Sequence, residues 1–238
     1  MEPYFYRTRI RKTLEEDRAE IVAAFRDIIK RDLRVQLKLV NYYKGLPISY
    51  PATLVEVIGD VLELDVHPQQ AVALEQTKRT CLKCSHFELP LLADVRDTDV
   101  RRMMASVCNM NYVEIMAEQR SSLRLELEPP CDAEIRAEGG SMGGKVLDIS
   151  LGGCSIRTPG PCQLAPGTEV QLRLMVPNLL QESMTPVEIS STVVGSASDA
   201  DGDLCRFSIC SDSHAEGIIS RFIFQRQVDL IRELKEQS

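Results

Sequence analysis

The hydrophobic positions near the start of the chain recur with the period of an α-helix. Between residues 12 and 33, apolar side chains return every three or four positions, at Leu14, Ile21, Val22, Phe25, Ile28 and Ile29. Acidic residues lead this segment and basic residues close it, which suits the helix dipole. Thr13 with Glu16 fits a capping box. The segment is therefore predicted to be an amphipathic helix.

After this helix the pattern changes to the alternation of a β-strand. Residues 34–40 alternate apolar and polar side chains, which predicts a half-buried strand. The segment 45–51, which contains Gly and Pro, is interpreted as a turn that ends the strand, and 52–66 predicts a hairpin around Gly59 and Asp60. Three further strand-like runs follow, at 80–85, 89–97 and 107–116. The first half is therefore expected to be one helix followed by a small antiparallel β structure.

The second half of the chain is a series of short strand-like runs separated by Gly, Pro and Asp. These runs lie at 132–137, 144–150, 154–158, 169–176, 187–198 and 203–210. Such close spacing is typical of a small barrel or sandwich. Apolar residues at helical spacing then predict an amphipathic helix over 214–237. We expect two domains, residues 1–116 and 117–238.

The composition is that of an ordinary globular protein. Hydrophobic residues make up 44% of the 238 positions and charged residues 26%, enough to build a core. No apolar run approaches the roughly 18 residues of a membrane span, and no signal-peptide core follows the basic N-terminal residues. These features predict a cytoplasmic protein. The net charge of -7 argues against a broad nucleic-acid-binding face, so direct DNA binding is not expected.

The eight cysteines raise the question of metal binding. With no signal peptide, reduced thiols are expected. Four residues could supply zinc ligands: Cys81, Cys84, His86 and Cys108. Against zinc, Cys81 and Cys84 would point to opposite faces of an alternating strand. A zinc site and a redox pair are therefore the less favoured alternatives, and no metal is expected.

No enzyme site emerges from the sequence. The run "GGSMGGKV" at 139–146 nearly matches a phosphate-binding loop, but Val146 stands where a Ser or Thr must hold magnesium. Its flanks predict strands, so a flexible hairpin is the better interpretation. The three histidines are far apart in sequence and no G-x-S-x-G is present, so no catalytic residues are assigned.

Two arginines four residues apart, Arg120 and Arg124, lie at the expected domain boundary. The planar guanidinium can bind phosphate oxygens, grip a guanine edge and stack on a base. This spacing alone is common on solvated surfaces. The acids able to pair with these arginines are Glu118, Glu126 and Asp148. We expect the segment 117–126 to be mobile without a ligand and ordered with one.

A second polar cluster, "DISLGG", follows the arginines and makes a binding site more specific. Asp148 can accept hydrogen bonds from a guanine edge, and Ser150 can donate to a phosphate or hold the turn. Gly152 and Gly153 allow close approach of backbone to a ligand and positive φ angles. A turn without a ligand is the ordinary structure of such residues. The two clusters together favour a site for a planar anionic ligand.

The two clusters resemble the signature of the PilZ domain, the bacterial receptor domain for cyclic di-GMP. Arg120 and Arg124 match R-x-x-x-R, and Asp148, Ser150 and Gly153 match (D/N)-x-S-x-x-G. The resemblance covers about 117–237, and the N-terminal half is similar to the split-barrel domain of two-domain members such as flagellar-brake proteins. It implies a mainly β fold: an N-terminal helix and small split β-barrel, then a six-stranded antiparallel barrel with a C-terminal helix.

The resemblance also implies a function, that of a cyclic di-GMP receptor with no other cofactor. Arg120 and Arg124 would clamp guanine and phosphate, Asp148 would take a guanine edge, and Ser150 with the backbone of Gly152 and Gly153 would close around the rest. Binding would then re-orient the domains. Many members carry another arginine where this chain has Gln119, and that departure favours one ligand molecule per protomer.

The partner of such a receptor stays open at the level of sequence. The flagellar motor, polysaccharide-synthesis machinery and the transcriptional machinery are candidates, in keeping with control of motility or biofilm, and a homodimer is a further candidate. The main alternative function is a protein-interaction module whose nucleotide site is silent. A zinc-binding protein using the cysteine cluster is the less favoured alternative.

Overall fold

The computed structural model describes residues 5–31, 37–178, 183–210 and 213–238. The end of the predicted first helix, at 32–33, and the start of the predicted strand, at 34–36, lie outside the described residues. The chain forms two compact units, one made of Met1–Arg120 with Ile231–Ser238 and the other of Ser121–Leu230.

Helix α1, Leu14–Lys30, forms where the apolar stripe predicts it. The capping box is confirmed: the backbone N–H of Glu16 donates to Thr13 Oγ1 over 3.2 Å, and that hydroxyl donates to Glu16 Oε2 over 2.9 Å. Ile21, Phe25 and Ile28 are buried in the main core of the first unit. Leu14 and Ile29 were predicted to share this face but are 43% and 38% exposed, so the buried stripe is narrower than predicted.

The remaining elements of the first unit form a small barrel. They are β1 (Tyr6–Thr8), β2 (Leu37–Tyr43), β3 (Leu46–Ile58), β4 (Val61–Val66), α2 (Pro68–Thr77), β5 (Arg79–Cys84), β6 (Leu91–Asp99), β7 (Met104–Ile115) and a 3₁₀ turn (Met116–Gln119). Adjacent strands pair in the order β1-β7-β4-β3-β2-β5-β6, and β6 also pairs with β7. The strands from β2 to β7 therefore close into a ring, and β1 adds to β7.

One prediction for this unit was wrong, and one element was not predicted. Of the segment 45–51, expected to be a turn, residues 46–51 form the first part of β3, and only Lys44 and Gly45, both with positive φ, separate β3 from β2. Prolines are tolerated there because β4 pairs only with the later residues of β3, from Ala52 onward, so the earlier part has a free edge. Helix α2 was not predicted at all; it begins at Pro68, after the N-cap residue His67.

The second unit is a closed six-stranded barrel followed by a helix. Its elements are β8 (Leu125–Ala137), β9 (Gly140–Ser150), β10 (Gly153–Thr158), β11 (Glu169–Asn178), β12 (Ser183–Asp199), β13 (Gly202–Cys210) and the larger part of α3 (Ser213–Glu236), whose residues from Ile231 onward belong to the first unit. The barrel closes in the order β10-β13-β12-β11-β8-β9. All six predicted runs lie in strands, and the predicted fold class is confirmed for both units.

The near-match to a phosphate-binding loop is a β-hairpin. Ala137 pairs with Gly140 at the end of β8 and the start of β9, and Gly140 has φ of 131°. No helix follows this loop, so no helix N-terminus is present there to bind a phosphate. Across the described parts of the chain, no helix has both the length and the hydropathy of a membrane span.

Candidate functional site

Asp148 and Arg124 meet on the outer face of the second barrel. In the β8–β9 register, Leu125 lies opposite Ile149, and both side chains point into the barrel, 0% and 1% exposed. Their chain neighbours Arg124 and Asp148 therefore face outward. Arg124 Nε lies 3.5 Å from Asp148 Oδ1, with the side chains 33% and 15% exposed. The structure thus brings one residue of each sequence cluster together as an ion pair.

This ion pair leaves one carboxylate oxygen of Asp148 without a hydrogen bond. Asp148 Oδ1 is buried and accepts no hydrogen bond within the described part of the chain. Its separation from Arg124 Nε is longer than the 2.7–2.9 Å of a charge-assisted hydrogen bond, so the contact is Coulombic. A buried acceptor left without a donor costs about 1–3 kcal/mol. A buried group without a donor calls for an explanation, and a ligand that brings its own donors is one.

The turn between β9 and β10 is held by its own residues. Ser150, 3% exposed, donates its hydroxyl to the carbonyl of Gly153 over 3.0 Å. Of the two roles considered for Ser150, the structure therefore shows the one of holding the turn. The carbonyl of Gly152 accepts the backbone N–H of Ile209 over 3.1 Å, which ties the turn to β13.

Close packing explains Gly153 but not Gly152, and neither glycine has a positive φ. A Cβ on Gly153 would lie 2.6 Å from the carbonyl oxygen of Phe207, which is too close for any side chain. A Cβ on Gly152 would lie 3.7 Å from Ser122 Oγ, an ordinary van der Waals contact. Ser122 and the Arg124 guanidinium, 3.8 Å from the same Cβ position on Gly153, therefore lie against the turn.

Arg120 belongs to the first unit, where it contacts an aromatic pair. Its guanidinium lies 5.3 Å from the centre of the Phe5 ring, a cation–π distance. Phe5 in turn stacks on Tyr42 with ring centres 4.8 Å apart. Glu118, one of the acids considered as a partner for the arginines, instead accepts from Lys83 Nζ at 2.7 Å. The sequence contained no signal for these contacts, because Phe5 and Tyr42 lie far from Arg120 along the chain.

Comparison with known families identifies the second unit. Residues 118–225 match the family model of the PilZ domain, and the matched segment contains both sequence clusters. This segment is a PilZ domain. No curated protein matches the sequence.

Three solved structures are similar to this chain at low sequence identity. Escherichia coli YcgR in complex with c-di-GMP is 13% identical, with a TM-score of 0.44, and the match covers 100% of this chain and 99% of that one. The Bacillus subtilis inhibitor of motility MotI/DgrA is 12% identical, with a TM-score of 0.43, covering 82% and 96%. The K. pneumonia MrkH–c-di-GMP complex is 17% identical, with a TM-score of 0.38, covering 93% and 97%.

A second carboxylate, Glu126, lies beside Asp148 in the PilZ domain. The two residues are directly opposite each other in the β8–β9 register, so their side chains share the outer face. Burial raises the pKa of Glu126, and the Asp148 carboxylate raises it further. Sequence reasoning considered Glu126 only as a counter-charge for the arginines. Its position two residues after Arg124 on a strand was the available signal, since alternate residues share a face.

The cysteine cluster does not gather into a metal site. Cys81 packs with Val40, Val113 and Ile115, whereas Cys84 belongs to the main core of the first unit, so the thiols face opposite sides of β5. Burial raises the pKa of the Cys81 thiol to about 12, as expected for a cysteine that behaves as a small hydrophobic residue. Within the ranges that the structure describes, no three His, Cys, Asp or Glu side chains form a metal-ligating group. The zinc ligand set Cys81, Cys84, His86 and Cys108 is therefore not supported.

Proposed function

We propose that this protein is a cyclic di-GMP receptor, not an enzyme, and that its PilZ domain binds the dinucleotide. The proposed ligand-binding residues are those of the two sequence clusters: Arg120, Arg124, Asp148, Ser150, Gly152 and Gly153. The observation that carries the proposal is the buried oxygen of Asp148, which accepts no hydrogen bond within the described residues and lies beside Arg124.

The chemistry of guanine fits this carboxylate. The Watson–Crick edge of guanine presents two adjacent N–H donors, and a carboxylate is an acceptor with two oxygens. Asp148 would accept from this edge, which would satisfy the buried oxygen. The guanidinium of Arg124 would bind a phosphate or the O6 and N7 atoms of the base, as its planar fork allows. The backbone of Gly152 and Gly153 would close around the rest of the ligand, and Ser150 would keep the turn in place.

Arg120 would complete the clamp at the expense of a contact that it makes in the first unit. Its guanidinium would exchange the face of Phe5 for a ligand phosphate or base. Arg120 and Arg124 are four residues apart in the chain, so a ligand that engages both would order the segment 117–126. When the ligand orders the segment 117–126, it would favour one arrangement of the two domains over another. Binding would then change the domain arrangement because the ligand has a higher affinity for one of the two arrangements.

The experiment that tests the proposal is titration calorimetry with cyclic di-GMP, using GTP and cyclic AMP as control ligands. We expect cyclic di-GMP alone to bind, with one ligand per protomer. Arg124→Ala should weaken binding roughly tenfold to hundredfold, because a charge-assisted contact contributes about 1.5–3 kcal/mol. The matched control is Arg173→Ala, which removes an exposed arginine from β11 of the same barrel.

The outcomes separate the function from the site. If the wild-type protein binds none of the three nucleotides, the receptor function is wrong and a PilZ domain with a silent site is the better account. If Arg124→Ala binds as the wild type does, the function stands but the residue assignment is wrong. Hydrogen exchange on the same samples should show added protection at 117–126 and 148–153 with ligand.

The downstream partner stays a prediction. A receptor of this kind transmits its signal to another protein, and the flagellar motor and polysaccharide-synthesis machinery are the candidates that the PilZ resemblance suggests. A homodimer is also compatible with the proposal. Direct DNA binding is not expected from a chain with a net charge of -7.

A further inference from the structure

A row of polar side chains continues from Asp148 across the outer face of the PilZ barrel. In the strand registers, Glu126 lies opposite Asp148, Asp148 lies opposite Ser155, and Ser155 lies opposite Arg206. These residues belong to four consecutive strands of the barrel: β8, β9, β10 and β13. Directly opposite residues on antiparallel strands point to the same side of the sheet. The row therefore joins Asp148 to an arginine that neither sequence cluster contains.

The burial of the neighbouring residues confirms that Arg206 faces outward. Cys205 and Phe207, on either side of it in β13, are 0% and 2% exposed and point into the barrel. Arg206 lies between them in an alternating strand and therefore projects from the outer surface, where it is half-buried. Arg124 lies on the same surface, close to Gly153, which is two residues before Ser155 on β10.

The distance across this row suits a ligand larger than a single base. Neighbouring strands are about 4.8 Å apart, so the backbones of Asp148 and Arg206 are separated by roughly 10 Å, with Ser155 between them. The row continues to Gly195 on β12, opposite Arg206, where a Cβ would meet nothing within 4 Å. The surface is thus open on the β12 side of Arg206.

The charges on the outer face suggest that Arg206 would bind a phosphate that Arg124 does not reach. Within the second unit, Asp148 lies beside the guanidinium of Arg124, and Glu126 lies opposite Asp148, so two carboxylates and one guanidinium are gathered on this part of the face. A cyclic dinucleotide brings two phosphates and two bases, of which Asp148 and Arg124 would hold one base and its adjoining phosphate under the proposed function. The other phosphate would then need a further cation on the same face.

On the basis of the proposed function, we propose that Arg206 is a further ligand-binding residue, which contacts the phosphate of the half of cyclic di-GMP that Asp148 does not hold. This contact would extend the site from the β9–β10 turn across β10 to β13. The ligand would then run across β10, along the row that joins Asp148 to Arg206 through Ser155.

The test is titration of cyclic di-GMP into Arg206→Met, with Arg173→Met as the matched control and Asp148→Ala as the reference for a damaged site. Arg206→Met should bind roughly tenfold more weakly, as expected for one charge-assisted contact at a half-buried position. Arg173→Met should bind as the wild type does. Arg206→Lys should bind between the wild type and Arg206→Met, because it keeps the charge but loses the planar fork.

A second measurement separates a phosphate contact from a structural role. Added salt weakens contacts between charges, so wild-type affinity should fall with ionic strength, and it should fall less steeply in Arg206→Met. If the wild type binds, Asp148→Ala weakens binding and Arg206→Met matches the wild type, this inference is overturned while the receptor function stands. If the wild type does not bind, the receptor function itself is overturned. Where Arg206→Met has a lowered melting temperature, the affinities of Arg206→Lys and Arg206→Gln for cyclic di-GMP are compared instead. Weaker binding by Arg206→Gln supports the inference, and equal binding by the two variants overturns it.

Discussion

Each of the two units contains a carboxylate set into its surface, and the two are satisfied in different ways. Asp17, on α1 of the first unit, is 2% exposed and accepts the backbone N–H groups of Arg11 over 2.8 Å and Lys12 over 3.2 Å. Asp148, in the PilZ domain, is 15% exposed at its side chain, and its Oδ1 accepts no hydrogen bond within the described chain. One carboxylate is supplied with donors by the chain itself, and the other is not.

This contrast separates a carboxylate that the fold itself uses from one that is left available to a ligand. Backbone donors are fixed in place, so Asp17 holds the segment before α1 against the helix and stabilises the fold. The orphan oxygen of Asp148 costs about 1–3 kcal/mol in the free protein, and a ligand that supplies donors recovers that cost on binding. Both carboxylates are largely buried, so burial does not distinguish their roles. The number of hydrogen-bond donors that each carboxylate receives from the chain does.

The largest effect that we expect is on ligand binding by Asp148→Ala. Removing the carboxylate removes two charge-assisted hydrogen bonds to guanine, so affinity for cyclic di-GMP should fall roughly hundredfold, or by about 3 kcal/mol. The melting temperature should stay the same or rise, because the unsatisfied oxygen is gone. Calorimetry and thermal unfolding measure the two quantities. A variant that melts lower and binds normally would make Asp148 a structural residue like Asp17.

Asp17→Ala should show the opposite behaviour. Two backbone N–H groups would lose a charged acceptor, and the free energy of unfolding of the first unit should fall by about 2–3 kcal/mol, while affinity for cyclic di-GMP stays unchanged. Urea unfolding measures the change. The matched control is Asp27→Ala on the same helix, whose exposed ion pair with Arg31 at 3.3 Å contributes at most about 1 kcal/mol. Equal losses from the two variants would show that burial of Asp17 adds no stability.

The strands of the PilZ domain were predictable because inward and outward residues alternate along them. On β11, for example, Leu172 and Leu174 are 0% and 1% exposed while Arg173 between them is exposed. Helix α2 was missed because Gln70 to Leu74 are all buried, which leaves no polar face to reveal the helical period. The first part of β3 was missed because Pro47 and Pro51 usually mark turns, and the free edge that tolerates them is visible only in the pairing.

The candidate site was predictable in its residue types but not in its contacts. The spacing of the two clusters pointed to Arg124 and Asp148, which the structure places 3.5 Å apart. The reason for Gly153 could not be derived from its neighbours in the chain, because it is the approach of the Phe207 carbonyl from another strand. The position of Arg206 also depends on strand register, which a sequence pattern does not specify when the pairing partners are unknown.

The smallest effect that we expect concerns Glu126, the carboxylate opposite Asp148, and the pH dependence of stability. Burial and then Asp148 raise the pKa of Glu126 above 4.5, so the folded protein binds more protons than the unfolded chain between pH 4.5 and the raised pKa. Stability falls with rising pH wherever the folded state binds more protons. The Glu126 contribution to the free energy of unfolding of the PilZ domain should therefore decrease as pH rises through that window and then level off.

Glu126→Gln, which has no titrating group, should unfold with a flatter pH profile and be more stable than the wild type above the window. Urea unfolding at a series of pH values measures both curves, and Glu134→Gln, at an exposed salt-bridged position on the same strand whose pKa is lowered by Arg136, is the control with the opposite sign. If the wild type and Glu126→Gln give parallel profiles, burial and Asp148 do not raise the pKa of Glu126 in the folded protein.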